Sequence, residues 1–270
     1  MIAEIAQGCL YQEPSSIYRN AFYGMTGLVL LCLWISETLG KPLQYSKFWK
    51  SSSSASQKSK QTYLPSKIGM LIFYTPALLV GISSFLLYPN GDIRFLLLKS
   101  AITIHFLKRD LEVLFLHKFS GFIGLGTAII ISATYFTMAA SIVYFQHQTQ
   151  VFTEPLTDLK YVGILVFLLG ISGNFYHHYL LSTLRRDEKS DKGYKIPRGG
   201  LFSLVVCPHY LFEILTFIGI SFISQTLCSY LCTIGSAFYL LARSNATRKW
   251  YLSKFEDFPK NVKALIPYVL

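Results

Sequence analysis

Residues 68–88 read IGMLIFYTPALLVGISSFLLY, a run that contains no charged side chain. The hydrocarbon core of a bilayer is about 30 Å thick and needs roughly 20 mainly apolar residues per helix, so this run predicts a membrane-spanning helix. The same criterion predicts helices at residues 17–36, 93–116, 122–145 and 159–181. Two more are predicted within residues 201–242, near 211–220 and 222–241, after a short lead-in at 201–206.

The composition of the chain also favours a membrane protein. Apolar residues make up 52% of it and charged residues 14%, whereas a soluble domain usually carries about a quarter charged residues. So little polar surface cannot cover a globule in water, but a bilayer accepts an apolar exterior. The predicted fold class is therefore all-α, a polytopic membrane protein with about seven transmembrane helices in a single domain, residues 1–270.

The basic residues are concentrated in four segments that a seven-helix topology places on one side of the membrane. Of the 25 lysines and arginines, 21 lie in residues 37–67, 108–118, 185–198 and 242–270. The positive-inside rule makes this side cytosolic, which predicts a lumenal N-terminus and a cytosolic C-terminus. The net charge of +11 is then explained by loops that face anionic lipid. Because no nucleic-acid-binding motif is present, no nucleic acid partner is expected.

Ionisable and strongly polar residues recur in the predicted cytosolic halves of the membrane helices. Such residues are costly in a bilayer and usually face an interior cavity. Arginine forks match phosphate oxygens, so the cluster predicts a pocket that opens to the cytosol and binds a phosphate-bearing ligand. Arg185 and Arg186 are also explained as ordinary cytosolic loop charges. The members of the cluster are His105, Lys108, Arg109, Asp110, Glu112, Asn174, His177, His178, Arg185, Arg186, His209, Glu213 and Arg243.

The chemistry of this pocket is limited by what the sequence lacks. Adjacent residues on a helix point about 100° apart, so His177 and His178 do not predict a metal site, and no metal is expected. The chain has no dinucleotide-binding glycine fingerprint and no βαβ unit, so any nicotinamide cofactor must be held by membrane helices and loops. Lys108 and Lys118 can simply snorkel to the interface. Glu213 lies in an otherwise apolar segment and has no such explanation.

Several strings in the C-terminal half are specific enough to compare with known families. They are GYKIPRGGLF at 193–202, CPHY at 207–210, WYLSKFEDFPK at 250–260 and ALIP at 264–267, with Gly173-Asn174, residues 179–185 and Glu213. These strings resemble the steroid 5-alpha-reductase family, most closely its plant members, over residues 105–270. The resemblance implies seven helices, NADPH as cofactor and residence in the endoplasmic reticulum. It also implies reduction of a 3-oxo-Δ4-steroid that enters from the bilayer.

The resemblance further implies a cofactor site within residues 105–270. His178 and His209 are among the implied cofactor contacts, although they depart from the family pattern at positions where relatives often carry Asp and Asn. Glu213 matches a family glutamate near the cofactor and is assigned a catalytic role. The remaining implied cofactor contacts are Arg109, Asn174, Arg185, Tyr194, Arg243 and Tyr251.

The chain departs from the family at the position of a catalytic phenol. Relatives commonly carry a tyrosine after the residue that corresponds to His105, and its hydroxyl donates a hydrogen bond to the substrate carbonyl. Here the residue is Phe106, which has no donor. In the second helix, Phe73 and Tyr74 stand where relatives with steroid substrates often carry a Gln-Glu pair. We hypothesise that Tyr74 replaces the missing phenol from the opposite helix and acts in catalysis.

Three other functions stay open from the sequence. A very-long-chain trans-2-enoyl-CoA reductase shares the C-terminal region of the family. An isoprenylcysteine-type methyltransferase has a related membrane core and a turn like Pro208-His209-Tyr210, and it would use S-adenosylmethionine. A catalytically inactive sterol-binding protein is also compatible with Phe106. The sequence does not set the substrate, the stereochemistry or the oligomeric state.

Overall fold

The computed structural model describes residues 7–40, 43, 45, 48, 62–119, 121–184 and 194–269. Seven long α-helices within this part of the chain confirm the predicted all-α fold class. They are α1 (Ile17–Thr38), α2 (Ser66–Leu87), α3 (Ile93–Leu111), α4 (Leu125–Gln148), α5 (Lys160–Thr183), α6 (Pro208–Ser224) and α7 (Leu227–Lys254). Two three-residue strands, β1 (Tyr63–Pro65) and β2 (Phe122–Gly124), were not predicted by the apolar pattern.

The third predicted helix, residues 93–116, consists of two consecutive helical types. α3 begins after Asp92, whose carboxylate accepts a hydrogen bond of 2.7 Å from the backbone N–H of Phe95. This is the capping role that short acidic side chains commonly fill. Beyond α3 the chain continues as a π-helical turn, Glu112–Leu116. With this turn included, each of the first five helices begins and ends within three residues of its predicted bounds.

The predicted boundaries in the C-terminal half are wrong in several places. α6 begins at Pro208, because proline is well tolerated at the first helical position, where its missing N–H is not needed. The break before α7 falls at Gln225, whose φ is 54°, and therefore later than the predicted break near residue 221. α7 continues past Leu241, so most of the predicted tail is helical and Arg243 lies inside the helix. The predicted lead-in at 201–206 is a 3-10 turn before α6.

Four helical segments are long and apolar enough to cross a bilayer. They are Ile17–Thr38, Ser66–Leu87, Leu125–Val151 and Lys160–Thr183. α6 is apolar but shorter, and the charged side chains of α3 and α7 reduce the hydropathy of those helices. The chain is thus a multi-pass membrane protein. Fewer than the seven predicted helices meet the length and hydropathy criterion among the described residues.

The first of two compact units contains α2, α3 and α4. It comprises Met1–Pro14, Leu43–Lys160 and Ile223–Ser229. α2 packs against both α3 and α4. β1 and β2 precede α2 and α4 and form an antiparallel pair in which Leu64 lies opposite Ile123. The side chain of Ile123 packs at Gly69, where an added Cβ would lie only 2.9 Å from Ile123 Cδ1.

A fully buried arginine holds the loops of the first unit together. Arg94 donates hydrogen bonds to the backbone oxygen of Ile223 at 2.9 Å and to Gln225 Oε1 at 2.8 Å. Its other terminal nitrogen pairs with Glu154 at 3.1 Å and Asp158 at 2.8 Å. A buried charge is tolerated only when it is paired in this way. Arg94 therefore has a structural role.

The second compact unit contains most of the remaining helices. It comprises Ser15–Pro42, Tyr161–Phe222 and Tyr230–Leu270. α1 packs against α7, with the rings of Trp34 and Phe238 5.7 Å apart. The C-terminal segment pairs with the residues before α6 through a parallel bridge between Val205 and Lys263. This bridge ties the end of the chain to the start of α6.

Glycines allow α5 and α6 to approach closely within the second unit. A Cβ atom at Gly170 would lie 2.4 Å from the backbone nitrogen of Thr216, and one at Gly219 would lie 2.4 Å from that of Phe167. Such distances are far below van der Waals contact, so only glycine fits at these positions. The two helices therefore pack backbone to backbone, as membrane helices with small interfacial residues do.

We expect Gly219→Ala to destabilise the second unit, because the new methyl group collides with the backbone of α5. Overpacking of this kind costs about 1–3 kcal/mol. The thermal denaturation midpoint of the detergent-solubilised protein measures the effect. Gly24→Ala is the matched control, since a Cβ there meets nothing within 4 Å. Equal midpoints for the two variants would contradict the close packing of α5 and α6.

Candidate functional site

In the first unit, the predicted residues Arg109 and Tyr74 contact each other directly. Arg109 Nη2 donates a hydrogen bond of 2.5 Å to Tyr74 Oη, and the guanidinium carbon lies 4.6 Å from the centroid of the Tyr74 ring. Both side chains are buried. The guanidinium fixes the phenol in place, and its positive charge makes the Tyr74 hydroxyl a stronger hydrogen-bond donor.

The π-helical turn after α3 supplies the counter-charge for this pair. Arg109 Nη1 donates to Glu112 Oε2 at 2.8 Å, and Lys108 Nζ lies 2.9 Å from Glu112 Oε1. These spacings of three and four residues place the groups on one helical face. Lys108 therefore forms an ion pair in addition to any snorkelling of its stem. π-Helical turns occur frequently at functional sites.

Next to Arg109, Asp110 is buried but uses only part of its hydrogen-bonding capacity. Thr75 Oγ1 donates to Asp110 Oδ2 at 3.0 Å, whereas Asp110 Oδ1 has no hydrogen-bond partner in the described part of the chain. A buried polar atom without a partner is costly. The position therefore suits a donor group on a ligand or a bound water.

Phe106, at which the chain departs from the family pattern, packs against an aromatic ring. Phe106 is buried, and its ring lies 5.6 Å from that of Tyr135 at an interplanar angle of 73°. The Tyr135 ring also lies 5.5 Å from the Tyr74 ring. The sequence analysis missed Tyr135, because it lies in a uniformly apolar helix and in none of the motifs. The only signal that could have found it is its position on the buried face of α4.

In the second unit, the predicted residues Asn174 and Glu213 are hydrogen-bonded to each other. Asn174 Nδ2 donates to Glu213 Oε2 at 2.8 Å and to the backbone oxygen of His209 at 2.8 Å. Both side chains are buried. Gly173 makes this possible, since a Cβ there would lie 2.2 Å from the ring of Phe212. These two bonds use both N–H groups of Asn174 and join α5 to the start of α6.

The three histidines nearby have different surroundings. His177 Nδ1 lies 2.7 Å from the backbone oxygen of Gly173, and its Nε2 accepts a hydrogen bond of 3.1 Å from the N–H of Leu201. These bonds require the neutral tautomer with the proton on Nδ1 and give His177 a structural role. His178 and His209 instead contact each other, with ring centroids 5.4 Å apart.

The two glycines of the GYKIPRGGLF string are explained by the turn before α6. Gly199 and Gly200 have φ values of 87° and 50°, a region that side chains with a Cβ rarely adopt. A Cβ at Gly200 would also lie 2.7 Å from His177 Nε2. The two glycines therefore permit the turn before α6, and the hydrogen bond from Leu201 to His177 connects this turn to α5.

The other predicted cofactor contacts have protein partners of their own. Arg243 is buried and donates a hydrogen bond of 2.9 Å to Glu37 Oε1 on α1. Tyr251 stacks on the ring of Phe258 at 5.3 Å. Tyr194 is 42% exposed, and its ring lies 4.9 Å from Trp250. Arg185 lies outside the described residues, so its predicted role stays a prediction.

A cavity of about 300 Å³ lies near the C-terminal segment of the second unit. None of the predicted site residues lines it. Its lining residues are Ser203, Leu204, Asn261, Lys263 and Tyr268. The predicted site is therefore defined by side-chain contacts and not by this cavity.

We expect Asn174→Leu to lower the thermal midpoint of the solubilised protein, because Glu213 loses a donor at a buried position. Leaving such a group unsatisfied costs about 1–3 kcal/mol. Glu213→Gln is the matched control, since its amide oxygen can still accept the bond from Asn174. A double-mutant cycle of Asn174→Leu with Glu213→Leu, which removes the acceptor, gives their coupling. No coupling would show that the hydrogen bond has no energetic importance.

Comparison with known proteins gives consistent matches. A family model described as 3-oxo-5-alpha-steroid 4-dehydrogenase matches residues 125–270. A very-long-chain enoyl-CoA reductase from Dictyostelium discoideum is 33% identical over 174 residues, which is 62% of this chain and 56% of the relative. A steroid 5-alpha-reductase from Gossypium hirsutum is 40% identical over 108 residues, 40% of this chain and 41% of the relative.

A longer alignment exists at lower identity. The 3-oxo-5-alpha-steroid 4-dehydrogenase 2 of Rattus norvegicus is 26% identical over 260 residues, which covers 93% of this chain and 94% of that protein. By contrast, the chain spans only about half the length of the Dictyostelium and Gossypium relatives. The family model places its match in residues 125–270, the C-terminal half of the chain.

Proposed function

Because the chain belongs to the 3-oxo-5-alpha-steroid 4-dehydrogenase family, whose model matches more than half of it, we propose that it is a membrane reductase. Its proposed reaction reduces a C=C bond conjugated to a carbonyl in a lipid, in the first instance a 3-oxo-Δ4-steroid, with NADPH as cofactor. The observation that carries this proposal is the buried hydrogen bond between Arg109 and Tyr74. It offers a fixed phenol in a chain that lacks the usual tyrosine at Phe106.

The chemistry of the donor set fits a phosphorylated nicotinamide cofactor. The resemblance assigns to this cofactor Asn174 and Glu213, which form a buried amide–carboxylate pair at 2.8 Å. Guanidinium groups suit phosphate oxygens, and the resemblance assigns this role to Arg109 of the first unit and to Arg243 of the second, each of which is also paired with a carboxylate. The resemblance adds His178, Arg185, Tyr194, His209 and Tyr251 to the residues that would hold it. When bound, NADPH supplies the hydride of the reaction.

The role of Tyr74 follows from the charge that develops during reduction. The C=C bond gains a hydride at its β-carbon and a proton at its α-carbon, and between these events negative charge builds on the carbonyl oxygen. Tyr74 donates a hydrogen bond to that oxygen, while Arg109 holds the phenol and strengthens it as a donor. Removal of one such donor typically lowers kcat by about 10²–10³.

A very-long-chain enoyl-CoA reductase is the second candidate function. It is favoured by the 33% identity over 174 residues to the relative of that name. The carbonyl of a 2-enoyl thioester develops the same charge as that of a steroid enone, so the proposed role of Tyr74 applies to both substrates. Family membership favours either reductase over the methyltransferase alternative.

The location of the protein is proposed from its charge distribution and its family. We propose residence in the endoplasmic reticulum, with a lumenal N-terminus and a cytosolic C-terminus, because the four basic segments then face the cytosol. Protease treatment of intact microsomes should remove an epitope placed at the C-terminus. A protected C-terminal epitope would contradict this orientation.

We expect microsomes that contain the protein to reduce progesterone or trans-2-hexadecenoyl-CoA with NADPH, and assaying both in parallel decides between the two substrates. Tyr74→Phe should lower kcat by about 10²–10³ for the active substrate, since one oxyanion donor is lost. Tyr144→Phe, which removes a half-exposed phenol of α4, is the control and should leave kcat unchanged.

The same assay, together with a measurement of NADPH and S-adenosylmethionine binding, separates the remaining alternatives. Full turnover by Tyr74→Phe would remove Tyr74 from the mechanism. Binding of NADPH without turnover of either enone would support the inactive sterol-binding protein. Binding of S-adenosylmethionine in place of NADPH would support the methyltransferase.

A further inference from the structure

The aromatic cluster of the first unit consists of Tyr74, Phe106 and Tyr135, and the ring of Tyr135 lies beside both of the others. Phe106 contributes a ring but no donor, and it forms a T-shaped pair with Tyr135 at 5.6 Å between ring centroids. Tyr135 also packs against Tyr74 at 5.5 Å. The three rings come from three different helices, α2, α3 and α4, which pack together in this unit.

Tyr135 lies on the face of α4 that is turned toward the interior of the unit. Ala128 and Ala139 are each 0% exposed, and Ile142 is also buried. These residues lie seven positions before and four and seven positions after Tyr135, so all four share one face of the helix. Tyr144 lies nine positions after Tyr135, which places it on the opposite face, at about 180°.

The hydroxyl of Tyr74 has a defined environment, since its oxygen accepts from Arg109. One phenol donor is a minimal oxyanion site, and a developing enolate is stabilised further when two donors share its charge. The ring centroids of Phe106 and Tyr135 lie 5.6 Å apart, so a phenol at either position belongs to the same ring cluster.

We propose that Tyr135 is a second catalytic phenol, which donates a hydrogen bond to the substrate carbonyl alongside Tyr74 and compensates for Phe106. This inference rests on the proposed reductase function. The hydroxyl acts as a hydrogen-bond donor only, so no proton or electron leaves Tyr135.

Steady-state kinetics with progesterone, trans-2-hexadecenoyl-CoA and NADPH in microsomes test the proposal. Tyr135→Phe should lower kcat about 10-fold or more with the KM for NADPH unchanged, by analogy with the loss of one oxyanion donor. Tyr144→Phe, on the opposite face of α4, is the matched control and should behave as the wild-type protein. Thermal midpoints of all variants show whether the fold is retained.

Phe106→Tyr provides a rescue that a purely structural role for Tyr135 would not produce. In the background of Tyr135→Phe it returns a hydroxyl to the same ring cluster, so the double variant should regain at least about half of the lost activity on a logarithmic scale. Binding of tritiated progesterone to the membranes gives a second measurement. It should weaken in Tyr135→Phe and recover in the double variant.

The outcomes distinguish failure of this inference from failure of the proposed function. Wild-type protein that reduces neither enone would overturn the reductase proposal and the role of Tyr135 with it. An active wild-type protein with equal kinetics for Tyr135→Phe and Tyr144→Phe would overturn only the role of Tyr135. Lost activity without any rescue by Phe106→Tyr would also overturn it and leave Tyr135 as a packing residue.

Discussion

The hydrogen bonds of Arg109 are the interaction on which the proposed site depends. A guanidinium buried among membrane helices is costly unless its N–H groups are satisfied. Glu112 satisfies one side from the π-helical turn, and Tyr74 satisfies the other from α2. The charge thereby turns an aromatic core residue into an oriented donor. The same requirement explains why Arg94 and Arg243 are also buried beside carboxylates.

The apolar runs were sufficient to predict the first five helices, because membrane helices are long and uniformly apolar. The prediction failed where a helix buries polar residues against protein. In α7, Arg243 and Thr247 are both buried, so a helical segment was interpreted as a cytosolic tail. The position of the helix break at Gln225 could not be predicted either, because the Gln225 side chain donates to the backbone oxygens of Cys9 and Thr157. No local pattern records contacts between residues so far apart in the chain.

The site was predictable to the extent that buried polarity is conspicuous. Asn174 and Glu213 stood out from apolar surroundings, and the structure joins them. The partner of Arg243 could not be predicted, since Glu37 resembles an ordinary charge at the end of α1. Tyr135 was not singled out, because a tyrosine in an apolar helix is commonly an interfacial anchor. Side chains that act through packing partners become visible only once the helices are assembled.

The ion pair between Glu37 and Arg243 limits how the protein can be shortened. α1 resembles a dispensable lipid anchor, since only 6% of its apolar window is buried. A version trimmed to begin at α2, as is often tried to improve expression, would nevertheless remove the carboxylate that faces Arg243 at 2.9 Å. Breaking a buried pair on one side costs about 3–5 kcal/mol. Although little of α1 is buried, it therefore supplies the counter-charge that the buried Arg243 of α7 needs.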